Sequence, residues 1–172
     1  MREYSHRSLK EVNPHVFQNY NVESAALESG TADYLVVSYL GQAILGRGYV
    51  QAYKAQLPAE MVARGFIRAT TNDRRFPPPS ATESDREPHR VGEVWSGALW
   101  DLRVLLGCAA STPRCSAADR LVLDAWRSTP PQPTATIGPR FATNLVQKVR
   151  QADGEVRAAK MRAAFARRGL AI

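Results

Sequence analysis

The first residues able to do chemistry are a carboxylate and an imidazole near the N-terminus. Glu3 and His6 stand three positions apart in the segment 2–6, which reads REYSH and has a helical pattern. An intact H-E-x-x-H helix places two histidines on one face to hold zinc, and its glutamate polarises the attacking water. Here Arg2 stands in place of the first histidine. Because E-x-x-H is common by chance, an ordinary exposed helix is the competing interpretation.

Further polar residues lie in the segment 20–34, which reads YNVESAALESGTADY. Apolar residues recur there and beyond at helical spacing, which predicts a helix over Val22–Leu40. Gly30 would weaken the middle of this helix by about 1 kcal/mol relative to alanine.

A clearer helix is predicted over Val91–Leu106, because its apolar residues follow i, i+3, i+4, i+7 and Gly107 suits its C-terminal stop.

Two more segments carry residue spacings of interest. Residues 89–103 read HRVGEVWSGALWDLR and open with a histidine, and residues 157–170 read RAAKMRAAFARRGL. The tryptophans Trp95, Trp100 and Trp126 stand at helical spacing, which predicts that they belong to the core before any site.

In their order and spacing, the four segments resemble the α-helical half of the catalytic domain of thermolysin- and fungalysin-like zinc metalloendopeptidases, the gluzincins. In that family the second segment runs Y-x-x-E-S-G-A-hydrophobic-x-E-G-x-A/S-D-Y. The third runs H-x-x-G-E-V-W-x-x-x-L-W, the most specific match, and the last runs I-R-x-A-F-x-x-R-G-hydrophobic. The resemblance covers residues 2–170. It implies a mainly α fold, the helical lobe of a thermolysin-like peptidase domain, as one domain over 1–172.

The resemblance implies a role for each matched residue. Glu3 would be the general base and His6 a zinc ligand, so that a metal-polarised water attacks the peptide bond. Tyr20 and His89 would stabilise the oxyanion. Arg68 would lie near the substrate pocket. From the residues alone, Tyr20 is as readily a packing residue at a helix start, and Arg68 more readily a surface or loop anchor.

Two positions depart from the family pattern where zinc ligands belong. Arg2 replaces the first histidine, and a guanidinium has no lone pair to offer a metal. Ser29 occupies the register of the glutamate ligand, while Glu28 lies one residue away, about 100° around the helix. We therefore expect zinc, the family's cofactor, to bind very weakly or not at all. Asp33 matches the carboxylate beside the metal ligands, and we expect it to pair with Arg2.

The rest of the chain is also predicted to be helical. Ser116 suits an N-cap, and further helices are predicted over Phe141–Gln151 and Val156–Arg168. No segment shows a convincing strand pattern. A polar, proline-rich loop, Thr70–Pro88, separates two of the long helices, and loops of this length are often functional.

Composition narrows the classes of partner. The 172 residues carry a formal net charge of +7, but the basic C-terminal segment lacks the interleaved aromatic residues that stack bases, so nucleic acid is not expected. No apolar stretch approaches the length of a membrane span. The family is typically secreted, yet the chain shows no export signal, so its localisation stays open. Cys108 and Cys115 can form a disulfide or remain free thiols, depending on the compartment.

Two functions from different classes are the main candidates, and a nucleic-acid binder that uses the basic C-terminal helices is a third alternative. One is the catalytic helical lobe of an endopeptidase that acts on a peptide or protein substrate and is impaired by Arg2 and Ser29. The other is a non-catalytic module that binds a peptide or partner through the same cleft. Peptidases of this class close the cleft with an N-terminal β-rich lobe. No segment here resembles that lobe, which makes it a further expected partner.

Overall fold

The computed structural model describes residues 2–14, 21–77, 82–83, 86–109, 111–130, 137–170 and 172, with side chains in the first helix described from Arg7 onward. The helices in these ranges are α1 Arg2–Val12, α2 Val22–Leu40, α3 Arg47–Tyr53, α4 Ala59–Arg64, α5 Pro88–Leu105, α6 Ser116–Ser128, α7 Ile137–Asp153 and α8 Glu155–Arg167. Strands β1 Ile44–Leu45 and β2 Arg68–Ala69 form an antiparallel pair. The prediction of a mainly α fold is confirmed.

Helix α2 has the bounds predicted from its apolar spacing, and both ends have a local cause. The Asn21 side chain accepts a hydrogen bond from the Ser24 amide and so caps the N-terminus. Gly41 ends the helix with a φ of +63°, a left-handed conformation that favours glycine.

Helices α5 and α6 begin at positions that differ slightly from the prediction. Helix α5 starts at Pro88, because the Glu87 carboxylate accepts hydrogen bonds from the amides of His89 and Arg90. The N-cap prediction at Ser116 is wrong: Ser116 is the first helical residue of α6, and the residue before it takes the cap position without a side-chain hydrogen bond.

The segment between α2 and α5 contains structure that the sequence did not predict. Strands of two residues are too short to show an alternating pattern, so the expectation of no strands is wrong for β1 and β2. Helices α3 and α4 are also short. Together these elements return the chain so that α2 and α5 run in the same direction. Ser29 of α2 meets the first turn of α5, and Ser38 meets its last turn.

Glycines bring α2 and α5 close together. A Cβ on Gly30 would come within 3.0 Å of the Gly92 carbonyl oxygen and of the Trp95 Cβ on α5. Gly30 therefore has a packing role in the middle of α2, which accounts for a residue of low helix propensity at that position.

Aromatic side chains form the centre of the core around α5. Trp95 packs edge-on against Phe141 and Phe165, with ring centroids 6.1 Å apart in both pairs. Trp126 packs against Phe141 at 5.7 Å. All three tryptophans are buried, as predicted, and the core cluster joins α2, α5, α6, α7 and α8.

A disulfide closes the loop that follows α5. Cys108 and Cys115 are bonded, which answers the question that the sequence left open. The fully buried Arg103 guanidinium donates to two backbone carbonyls of this loop, including that of Thr112. It also donates to Ser38 Oγ of α2 at 2.8 Å, so the closed loop is anchored to the helix pair.

Candidate functional site

Two residues that the family resemblance assigns to one site meet across the contact between α2 and α5. Ser29 Oγ lies 2.9 Å from His89 Nδ1, although sixty residues separate them in the chain. Ser29 is 1% exposed, whereas His89 lies at the surface. Gly92 makes room for the serine, since a Cβ at Gly92 would stand 3.1 Å from Ser29 Oγ. We call the surface around this pair, between the first halves of α2 and α5, the α2–α5 groove.

The register along α2 decides which group faces this groove. Ser29 is the residue of α2 whose side chain contacts His89. Glu28 is buried one residue earlier, at 2% exposure. A neutral hydroxyl, and not the Glu28 carboxylate, therefore faces His89.

One turn further along α2, Asp33 holds an arginine from the short hairpin. Arg68 Nε lies 2.5 Å from Asp33 Oδ2, and Arg68 Nη2 donates to Asp33 Oδ1 at 3.1 Å. Asp33 is 1% exposed and the Arg68 side chain 16%. A two-point contact of this kind fixes the orientation of the guanidinium plane as well as its position. The sequence placed Arg68 near the substrate pocket or on the surface, but did not predict its pairing with Asp33.

Glu93 of α5 anchors strand β2, which carries Arg68. Its Oε1 accepts a hydrogen bond from the Ala69 amide at 3.4 Å, and its Oε2 lies 2.6 Å from Arg74 Nε. The Asn72 amide group donates to the carbonyls of Ala69 and Glu93. Burial raises the pKa of the Glu93 carboxyl above its ordinary value, and the charge of Arg74 partly opposes this shift.

Arg168 anchors the segment that follows β2, at Asn72, to helix α5. Its Nε donates to Asp101 Oδ2 at 2.9 Å and its Nη1 to Asn72 Oδ1 at 3.1 Å. Gly97 of α5 makes space for it, because a Cβ there would come within 3.0 Å of the guanidinium. The arginine–glycine pair near the end of segment 157–170 marks Arg168 in the sequence, but no role was predicted for it.

Four other residues to which the family resemblance assigns a position in the site lie wholly or partly outside the part of the chain that the structure describes. Arg2, Glu3 and His6 belong to α1, but their side chains lie outside the described part of the chain. Tyr20 lies outside the described residues altogether. The pairing of Arg2 with Asp33 stays a prediction.

The described donors do not fit a catalytic zinc ion. Such an ion takes three protein ligands, commonly His, Glu, Asp or Cys, and keeps one open position. No three His, Cys, Asp or Glu side chains among those described are grouped so that they could hold a metal. Ser29 supplies a neutral hydroxyl that is bonded to His89, and the Asp33 carboxylate is bonded to a guanidinium. This arrangement can hydrogen-bond and present an imidazole, but among the described residues it does not bring together three side chains able to ligate zinc.

Comparisons of the chain with protein-family models, curated proteins and solved structures found no match. Within the described ranges, no helix has the length and apolar character needed to cross a membrane. The resemblance to zinc peptidases therefore stays a prediction from the chain's own motifs.

Proposed function

We propose that this chain is the helical half of a zinc-metalloendopeptidase-type catalytic domain of the thermolysin and fungalysin class that no longer hydrolyses peptide bonds and binds a peptide segment in the α2–α5 groove. The contact between Ser29 and His89 carries this proposal. The motif alignment alone puts residues 29 and 89 in one site, and the folded chain brings their side chains within hydrogen-bonding distance.

Loss of catalysis follows from the chemistry of the substituted positions. A serine hydroxyl carries no charge and replaces a carboxylate ligand, so it removes negative charge that would stabilise a divalent cation. Arg2 adds a positive charge at the other ligand position. The two changes act in the same direction, and together they leave His6 as the one matched ligand of the family set.

Retention of binding is supported by what still faces the groove. His89 is exposed beside the buried Ser29, so its imidazole can hydrogen-bond a peptide group. Arg68 is held rigidly at the hairpin end of the same groove by Asp33. Polar groups that are positioned by buried partners bind with less loss of conformational entropy than mobile ones.

The test measures binding and hydrolysis on the same peptides. A set of fluorescent hexapeptides is titrated against the full chain, and the mixtures are then analysed by mass spectrometry with added zinc and with a chelator. We expect saturable binding, no cleavage under either condition, and far less than one zinc per chain after dialysis.

His89→Ala and Arg47→Ala form the matched pair of variants. His89→Ala should weaken peptide binding, whereas Arg47→Ala, on the exposed start of α3, should not. Chelator-sensitive cleavage with one zinc per chain would show a working peptidase and contradict the loss of catalysis. Absence of saturable binding to any peptide would contradict the binding function.

A further inference from the structure

A cavity of about 770 Å³ opens where α2 and α5 begin. Val22 in its wall precedes Ser29 by two turns on the same face of α2, so the cavity lies at the N-terminal end of the α2–α5 groove. Its apolar lining also includes Phe76, Pro77 and Val91. This volume lies within the range of about 300–1,000 Å³ that is typical of ligand pockets.

The wall formed by Phe76 is fixed by the C-terminal turn of the chain. The Phe76 amide donates to the Arg168 carbonyl oxygen at 2.6 Å, and Gly169 packs against the Phe76 backbone. Arg168 is in turn held by its ion pair with Asp101. The cavity therefore has a wall that is already in place before any ligand binds.

The lining of the cavity is negatively charged, although the chain as a whole is positively charged. Three carboxylates line the cavity, those of Glu23, Glu83 and Glu87, against one guanidinium, that of Arg86. The chain as a whole carries a formal charge of +7. Glu83 and Glu87 are exposed and Glu23 is half-buried, so carboxylate oxygens of the lining are accessible to a ligand that enters from solvent. A cationic group is the charge that this lining complements.

We propose that the cavity is a specificity pocket for a basic residue, arginine or lysine, in the peptide that the groove binds. The apolar stem of such a side chain can lie along Val22 and Phe76 while its charged end reaches the glutamates. This inference rests on the proposed peptide-binding function and adds the class of peptide to it.

The test compares two acetylated and amidated hexapeptides that differ only in arginine or citrulline, which has nearly the same shape without the charge. Binding is measured by fluorescence anisotropy with the full chain at low and high salt. The arginine peptide should bind about fivefold to tenfold more tightly at low salt, and high salt should reduce this ratio. In the double variant Glu23→Gln, Glu83→Gln the ratio should fall to about twofold or less, with the citrulline peptide unchanged.

Two further variants locate the effect. Val22→Trp, at a residue that is 49% exposed, should weaken both peptides by filling the cavity. Glu60→Gln, an exposed carboxylate on α4, should leave the ratio unchanged. Equal affinities of the arginine and citrulline peptides would overturn the specificity pocket and leave the binding function intact. Failure of both peptides, together with failure of all others, would overturn the binding function as well.

Discussion

The Arg68 guanidinium and the Asp33 carboxylate form a two-point ion pair that joins strand β2 to the centre of helix α2. Asp33 is almost completely buried, so its charge depends on protein partners rather than on water. The pair therefore fixes the hairpin against the groove that contains Ser29 and His89. Asp33 therefore supports the structure of the protein at this point.

Removal of Arg68 should be strongly destabilising. Arg68→Ala leaves the Asp33 charge buried without its guanidinium, and breaking one side of a buried pair costs about 3–5 kcal/mol. Equilibrium urea unfolding of the full chain measures this loss. The double variant Arg68→Ala, Asp33→Ala should lose less than the sum of the two single variants, because the removed groups interact.

Arg47→Ala is the matched control for that experiment, because Arg47 is an exposed arginine on the neighbouring helix α3. Its effect should stay within about 0.5 kcal/mol. If Arg68→Ala cost no more than Arg47→Ala, the ion pair would not have the role described.

Replacing Gly30 and Gly48, two helical glycines, by alanine should change the free energy of unfolding in opposite directions. At Gly30 the added Cβ meets backbone of α5 within 3.0 Å, so Gly30→Ala should cost about 1–3 kcal/mol. At Gly48, in α3, a Cβ would find no described atom within 4 Å, so Gly48→Ala should gain about 0.4–1 kcal/mol. Thermal and urea unfolding of the two variants decide the matter. A stabilising Gly30→Ala would contradict the close approach of α2 and α5.

Glu93 should make stability depend on pH in a defined direction. Because burial raises its pKa in the folded chain, the folded state binds the proton more tightly than the unfolded state. Its contribution to the free energy of unfolding is therefore most favourable at low pH and falls as pH rises from about 4.3, the ordinary glutamate value, through the raised value. Relative to Glu93→Gln, the parent chain should lose stability over that window.

The measurement is urea unfolding of the parent and of Glu93→Gln at a series of pH values, with the difference between them plotted. Glu60→Gln, the same substitution at an exposed position, provides the control. A difference that is flat, or that favours the parent as pH rises, would show that burial does not dominate at Glu93.

Loss of the disulfide should lower stability by an amount set by its short loop. For the eight residues from Cys108 to Cys115, loop-closure entropy corresponds to about 2.5 kcal/mol. The double variant Cys108→Ser, Cys115→Ser should unfold at lower urea, and reductant should bring the parent chain to the same midpoint. Equal midpoints for the oxidised parent and the variant would contradict a stabilising bridge.

The sequence predicted the helices that have a clear apolar repeat. The bounds of α2 follow from periodicity with Asn21 and Gly41 at its ends. Helix periodicity reports which face is buried but not the register between two helices, and the expectation that Ser29 and His89 share one site came from the family resemblance alone.

The partner of Asp33 was not predictable in the same way. Arg68 reaches it through a hairpin of two-residue strands, and such strands leave no repeat in the sequence. The same holds for Glu93, which sits in an apolar helix and whose contacts come from an irregular loop. Long-range polar contacts of this kind depend on loop geometry, which residue spacing does not encode.

The most direct test of the central claim is the zinc content of the double variant Arg2→His, Ser29→Glu after dialysis, compared with the parent chain. The restored ligands should join His6 and bind one zinc per chain, while the parent, and a triple variant that also carries His6→Ala, should retain far less. A folded double variant that gains no zinc would contradict the metallopeptidase ancestry of this site. A parent chain that already holds one zinc would contradict the claim that Arg2 and Ser29 disabled it.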